Sequence, residues 1–351
     1  MPRRRRTVPI PTPAWDRERG AIGRRVMGRS PKFYGAVLVV AMAVIALGLV
    51  AYAFGADYVA GQRRPGSTAV RVADSKSNTE FADYSVEYFT QRLSTWVLES
   101  GGAGSAAGQA QVALPAVAQQ LVEETIILRF APDLEIKASE EELNTEIAKK
   151  LQLTGPTDPN FETRLQSELT RTGLSEDEYR DTIKATVFRT KLMAKFKKDL
   201  PASAESVHYR SIAVATQAEA DDIRKKLEKG GDFAKLAKEK SLDTATKDKG
   251  GDAGWAPRNY LDTSLEELLF GQAPKKISTF PGQSGVFVLE VLEIKKDRKI
   301  DDNKKDVLAD NELQDWLAEK RGKVTIVNEM DPSTGDSEKV RYALTRVYPQ
   351  S

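Results

Sequence analysis

Three of the five residues from Gly250 to Gly254 are glycine, and they interrupt an ordered series of short elements. So tight a backbone path leaves no room for side chains at its glycines, and the flanking elements must close on it. Before it, Val207-His208-Tyr209-Arg210-Ser211-Ile212-Ala213-Val214 alternates as a strand does. Two short amphipathic helices follow. The first sets Ala220, Ile223 and Leu227 on one face and stops at Gly230-Gly231. The second, over 232–239, turns Phe233, Leu236 and Ala237 inward. After the polar loop 241–249 and the glycines come a helical turn from Leu265 to Phe270, the run Ile277-Ser278-Thr279-Phe280 and an apolar strand from Gly285 to Glu293. The spacing predicts a small α+β unit over 205–296: strand, two helices, glycine loop, helix, two strands.

This unit resembles the parvulin (PpiC) family of peptidyl-prolyl cis-trans isomerases. The resemblance is carried by Gly-Asp-Phe-Ala-x-Leu-Ala-x-x-x-Ser from Gly231 to Ser241, by Asp243, by Gly250-Gly251-Asp252-x-Gly254-Trp255, and by Gly285 opening the last strand. It implies an antiparallel sheet of about four strands with helices packed around it. It also implies a site, and there the sequence departs from the family. Parvulins carry one histidine in the first strand and another in the last; the matching positions here are Ser211 and Phe287. The chain's one histidine, His208, lies three residues before the family position, an odd offset that points it to the opposite face of the strand. We expect it at the surface or edge. Asp243 matches the position where the family places a cysteine or aspartate near the isomerising bond. Leu261 and Leu265 match two apolar positions of the proline pocket, Ala253 matches a third that is usually larger, and Phe270 is counted with them.

The implied site is therefore Asp243, Ser211 and Phe287 about the bond, with Leu261, Leu265, Ala253 and Phe270 holding the proline ring. Prolyl isomerisation breaks no bond and needs only rotation about a C–N linkage over a barrier of roughly 20 kcal/mol. An apolar pocket that grips the ring and weakens amide resonance can speed that rotation without acid–base groups. Reduced activity is expected. The alternative is a non-catalytic chaperone whose parvulin unit only binds peptide, a reading that the loss of both histidines favours. Ordinary structural uses stand beside these roles: Asp243 as a loop cap, Leu261 and Leu265 as core residues four apart, Trp255 as an apolar plug.

Earlier in the chain, residues 1–33 form a Pro- and Arg-rich tail with ten Lys/Arg against two Asp/Glu. The next stretch, Gly35 to Phe54, is uncharged and mostly apolar. At 1.5 Å per residue its roughly twenty residues suffice to cross a hydrocarbon core of about 30 Å. Ala51-Tyr52-Ala53 fits a signal-cleavage site, but the apolar run is longer than a typical signal core. The reading is an uncleaved single-pass anchor over 34–55, with the tail in the cytoplasm and the remainder extracytoplasmic. Residues 56–79 read as a polar linker.

From Phe81 onward helical spacing takes over, giving a mostly helical domain over 80–200. Val86, Phe89, Leu93 and Trp96 stripe a first helix, and a second is expected after Pro115 with Val117, Leu121 and Leu128 inward. Ser139 with Glu142 and Ser175 with Glu178 make capping boxes for two more, and Phe161, Leu165 and Leu169 stripe one between them. The run Gly173-Leu174-Ser175-Glu176-Asp177-Glu178-Tyr179-Arg180, placed before a helix that leads into the parvulin stretch, is similar to the N-terminal chaperone domain of SurA-like and PrsA-like extracytoplasmic foldases. That resemblance implies a cradle for unfolded chains, built by the helical lobe and a C-terminal segment. Residues 301–321, with Val307, Leu308, Leu313 and Trp316, are expected as the completing helix of a C-terminal region over 297–351. Residues 324–327 and 340–347 are left open between short strands and a loose tail.

Composition narrows the chemistry. The absence of cysteine excludes disulfides, thiolate catalysis and a lipid anchor on Cys, and a single histidine argues against zinc. Neither a phosphate-binding nor a dinucleotide-binding glycine motif occurs, and no cofactor or metal is expected. A Ser-His-Asp triad would have to use His208, which stands in no nucleophile-elbow context. Outside the tail, 43 basic residues face 49 acidic ones, a balance that argues against a nucleic-acid partner. The expected partners are unfolded or nascent secreted polypeptides with X-Pro bonds, and a membrane entered by one N-terminal helix.

Overall fold

The computed structural model describes residues 65–100, 106–283 and 285–348, together with Met42. The basic tail and nearly all of the expected membrane anchor lie outside the described residues. Among the described residues no helix is long and apolar enough to cross a membrane.

The chain opens on strand β1 (Thr68–Asp74) and turns into β2 (Glu80–Ser85), with which it pairs antiparallel. This corrects the expectation of a linker reaching residue 79. In Thr-Ala-Val-Arg-Val-Ala-Asp, Ala69, Val70 and Val72 are fully buried while Arg71 reaches out to Asp83 at 2.6 Å. Helix α1 (Val86–Glu99) follows, capped by Ser85, whose side chain accepts from the Tyr88 N–H. Helix α2 (Ala106–Phe130) contains Pro115 and begins nine residues before it, where the expectation had the helix start after that proline. Proline removes one backbone donor but does not end a helix whose neighbours on both sides bury an apolar face. Arg92 of α1 and Glu124 of α2 form a largely buried bidentate pair at 2.8 and 2.6 Å, and Arg92 also donates to the Tyr88 hydroxyl.

Helices α3 (Glu140–Lys150), α4 (Phe161–Thr172) and α5 (Glu176–Asp199) complete the lobe, and both expected capping boxes, at Ser139 and Ser175, are formed in full. Leu121, Ile147, Leu165, Ile183 and Leu192 meet in one core with the buried side of β1. Each such fully buried side chain contributes about 2 kcal/mol.

The parvulin-like unit is a four-stranded antiparallel sheet in the order β4-β3-β6-β5. Strand β3 (Ser203–Val214) leads into α6 (Gln217–Glu228) and α7 (Phe233–Lys240). After the polar loop come β4 (Asp252–Pro257), α8 (Thr263–Gly271), β5 (Ile277–Gly282) and the long β6 (Gly285–Lys299). Ile212, Val214, Val286 and Val288 on one sheet face pack with Ile223 of α6 and Phe233 of α7. The opposite face carries Val207, Leu289 and Val291 with Leu269 of α8. Strands β3 and β6 pair along almost their whole length, and the Ile300 N–H donates to the Ala202 carbonyl, so the chain enters and leaves this unit at neighbouring points.

Beyond it run α9 (Lys305–Arg321), β7 (Val324–Asn328) and α10 (Ser337–Val347). The expected completing helix exists as α9, and Leu313, Trp316 and Leu317 enter the core of the helical lobe. The segments left open resolve into one strand and one helix. Strand β7 pairs with the free edge of β1, while Ala343 of α10 is fully buried in the same core. The two ends of the described chain thus close one lobe.

Candidate active site

Register fixes which side chains share the site face. Ser211 stands opposite Leu289 on β6, and Leu289 stands opposite Ser278 on β5; Ala213, Phe287 and Phe280 make the next row. Residues directly opposite in an antiparallel sheet point the same way, so Ser211, Leu289 and Ser278 line one face together with Phe287 and Phe280. Onto that face pack Tyr209, Tyr260, Leu261, Leu265, Leu268 and Phe270, all partly buried in the cluster centred on Leu269 and Leu289. Of the four residues expected to hold the proline ring, Leu261, Leu265 and Phe270 are brought together. Ala253 is not: it is the extra residue of a bulge in β4, between the pairs Tyr209–Gly254 and Arg210–Asp252, and does not join the cluster. The Arg258 guanidinium covers the Phe270 ring at 3.7 Å from its centroid, so one side of that ring is already occupied.

The expected residues about the bond fall at different depths. Ser211 is 6 % exposed, with its N–H donating to the Gly251 carbonyl at 2.8 Å, and so belongs to the floor. Phe287 is half-buried beside it, its ring filling the space that a side chain at position 282 would need. Asp243 lies in the loop after α7, half-buried. Its carboxylate accepts from the Ala245 N–H at 2.9 Å and from the Thr246 hydroxyl at 2.5 Å, while its own N–H donates to Ser241 Oγ. The carboxylate therefore caps its loop.

Tyr209 is a site residue that the sequence reading passed over. Burial pushes its phenol up to about 12, and the neighbouring Tyr260 and Asp243 add to the rise. Tyr209 lies two residues before Ser211, so period-two spacing already put it on the same face. Tyr260 had no such signal, since it sits in the loop between β4 and α8. Ser278, also unremarked, keeps its hydroxyl buried with no hydrogen-bond partner among the described residues.

Gly251 sets the approach of the glycine loop to the floor. Its φ is +81°, and a Cβ there would lie 2.6 Å from the Ser211 carbonyl oxygen and 2.9 Å from the Phe233 ring. Only glycine meets both conditions.

His208 takes the opposite face, as its odd offset from Ser211 predicted. It is not simply a surface residue, however. Its imidazole stacks on Trp255 at 5.1 Å and bonds through Nε2 to Asp252 at 2.8 Å. Against the desolvation that would raise it, the bonds from His208 and the Gly254 N–H hold the Asp252 carboxyl below the usual aspartate range. Trp255 plugs no core: Lys295 and Arg298 approach its ring at 4.9 and 5.0 Å.

Comparison with known proteins agrees with this architecture. Residues 191–295 match the family model of the PPIC-type PPIASE domain, and residues 32–193 match that of the SurA-like N-terminal domain. The foldase protein PrsA of Caldanaerobacter subterraneus subsp. tengcongensis is 33% identical over 171 residues, covering 46% of this chain and 52% of that relative. The foldase protein PrsA of Clostridium botulinum (strain Langeland) is 24% identical over 214 residues, covering 54% of this chain and 64% of that relative. The chain thus spans between about half and two thirds of these curated relatives. A solved structure of peptidylprolyl isomerase (PrsA) from Bacillus anthracis matches 65% of this chain and 95% of its own at 19% identity, with a TM-score of 0.37. The chain is therefore similar to the PPIC-type PPIASE domain over residues 191–295 and to the SurA-like N-terminal domain over residues 32–193, and the two matches meet within α5.

Proposed function

We propose that this chain is a membrane-anchored extracytoplasmic foldase that binds unfolded secreted polypeptides and isomerises their X-Pro bonds. The observation that carries the reading is the convergence of Leu261, Leu265, Phe270 and Phe287 on one sheet face, above the floor made by Ser211 and Leu289. Such a surface suits a pyrrolidine ring. The Tyr209 side chain packs on the same face, and we assign its hydroxyl and the half-buried Asp243 carboxylate of the neighbouring loop as the polar groups near the rotating amide. A nonpolar environment weakens amide resonance because the charge-separated form is less well solvated there. Rotation needs no proton shuttle, so serine and phenylalanine at the two family histidine positions lower the rate without abolishing it. The anchor and the extracytoplasmic location are supported by the apolar run from Gly35 to Phe54 and by the basic tail before it.

A second reading has its own support. Ser211 is buried and Phe287 is apolar, so the two histidine positions offer no exposed titratable group, as a purely peptide-binding domain would have it.

Refolding of a protein whose slow phase is limited by proline isomerisation separates the two. The isomerase reading predicts that the purified full chain shortens that phase and also suppresses aggregation. Suppressed aggregation with an unchanged slow phase contradicts it and leaves the binding module.

A further inference from the structure

Asn259 lies between β4 and α8 with φ +64°, a left-handed conformation that asparagine adopts more readily than most residues. Its N–H, carbonyl and side-chain amide are all engaged, and they reach in two directions. The N–H donates to Glu266 Oε2 of α8 at 2.7 Å, which ties the loop to its own domain. The carbonyl accepts from Asn311 Nδ2 at 2.6 Å, and the side-chain amide donates to Glu312 Oε1 at 3.1 Å and to Asp315 Oδ2 at 3.4 Å. Asn311, Glu312 and Asp315 share the outward side of α9, since positions four apart on a helix are neighbours. On its other side, the same helix buries Leu313, Trp316 and Leu317 in the core of the helical lobe. Helix α9 is therefore anchored in one lobe and holds a loop of the other. A second tie lies one residue on, where the Lys304 ammonium stands 4.4 Å from the centroid of the Tyr260 ring.

The held loop leads straight into the pocket. Tyr260 and Leu261 follow Asn259 and pack in the cluster with Leu265, Phe270 and Phe287. We propose that Asn259 is a positioning residue for prolyl isomerisation: latched to α9, it fixes Tyr260 and Leu261 at the pocket wall, so that the helical lobe sets the shape of the isomerase site. The proposal rests on the isomerase reading above. Its physical basis is pre-organisation. A loop ordered before the peptide arrives gives up no conformational freedom on binding, and a small displacement of a positioning group costs rate out of proportion to its size.

The test uses the purified full chain in detergent. Asn259→Gly keeps the left-handed backbone and deletes the side-chain bonds, Asn311→Ala removes the donor to the carbonyl, and Asn311→Gln retains an amide donor. For each, kcat and KM are measured on a proline tetrapeptide by exchange spectroscopy, together with the Kd of that peptide and the thermal midpoint. The latch predicts a fall of roughly tenfold in kcat/KM for Asn259→Gly and Asn311→Ala, carried mainly by KM. The double variant should lose no more than the more impaired single, since both act on one latch, and Asn311→Gln should restore most of the loss. The thermal midpoints should stay close to that of the wild type. Kinetic constants and Kd within about twofold of the wild type overturn the proposal. So does a loss that accompanies a collapse of the thermal midpoint and that Asn311→Gln fails to restore, because the contact is then structural only. A wild-type chain that leaves the peptide rate at its buffer value overturns the isomerase reading instead. The latch is then judged on Kd alone, which roughly tenfold weaker binding by the variants supports and unchanged binding overturns.

Discussion

The phenol of Tyr209 reports the environment of the candidate site. Burial holds it near 12, above the ordinary value of 10, so the folded chain keeps a proton that the unfolded chain releases first. The resulting stabilisation is complete below pH 10 and disappears as the pH rises through 12. Tyr209→Phe should therefore flatten part of the alkaline fall in stability, measured by urea unfolding across that window. Tyr179 is raised to about 12 by burial in the helical lobe, so the effect is the difference between variant and wild type. Gly251 gives a second prediction on the same scale. Alanine there must take φ near +81° and push against the Ser211 carbonyl and the Phe233 ring. We expect a loss of about 2 kcal/mol or more in urea unfolding, with resonances of the Asp243 loop shifted. Asp243 itself shows why residue roles were only half legible in the sequence. An aspartate in a turn-rich stretch caps its loop whether or not it also faces a substrate, and here it does the first. Ala253 fell outside the cluster because a bulge shifts register by one residue, and no local pattern marks a bulge in so short a strand.

At the scale of single elements, local chemistry decided what could be read. Ser139-x-x-Glu142 and Ser175-x-x-Glu178 announce helix starts because both halves of a capping box lie within four residues, and both boxes are formed. Ser175→Ala should cost about 1 kcal/mol, read as a lowered thermal midpoint, because it strips the Glu178 N–H of its partner at the head of the long helix α5. Strand β1 was not legible for the complementary reason. Its two partners are β2, across a short turn, and β7, about 250 residues away, and nothing local in a seven-residue strand declares the second. The start of α2 was misplaced because proline is a reliable signal only where no packed face overrides it. The parvulin-like unit was legible nearly in length and in the order of its helices and other strands, but β4 was read as a glycine loop because Asp-Ala-Gly-Trp-Ala-Pro carries no strand period.

On the scale of the whole molecule, the C-terminal segment joins the two lobes. It supplies Leu313, Trp316, Leu317, Met330 and Ala343 to the helical core, pairs β7 with β1, and holds Asn259 beside the pocket. A chain ended after Ile300 should lose the cooperative melt of the helical lobe and become sensitive to protease from β1 to α5. Circular dichroism and limited proteolysis against the full chain would show this. The central claim is narrower: that this domain turns X-Pro bonds without either family histidine. Its most direct test is the cis–trans exchange rate of X-Pro peptides, with X acidic, basic or apolar, in the presence of the purified full chain and of its Leu265→Ala variant. The account predicts exchange above the buffer rate for at least one class of X, and a loss of about tenfold or more in Leu265→Ala as the grip on the ring is weakened. Exchange at the buffer rate for every peptide, under conditions where the chain still binds them, would contradict it.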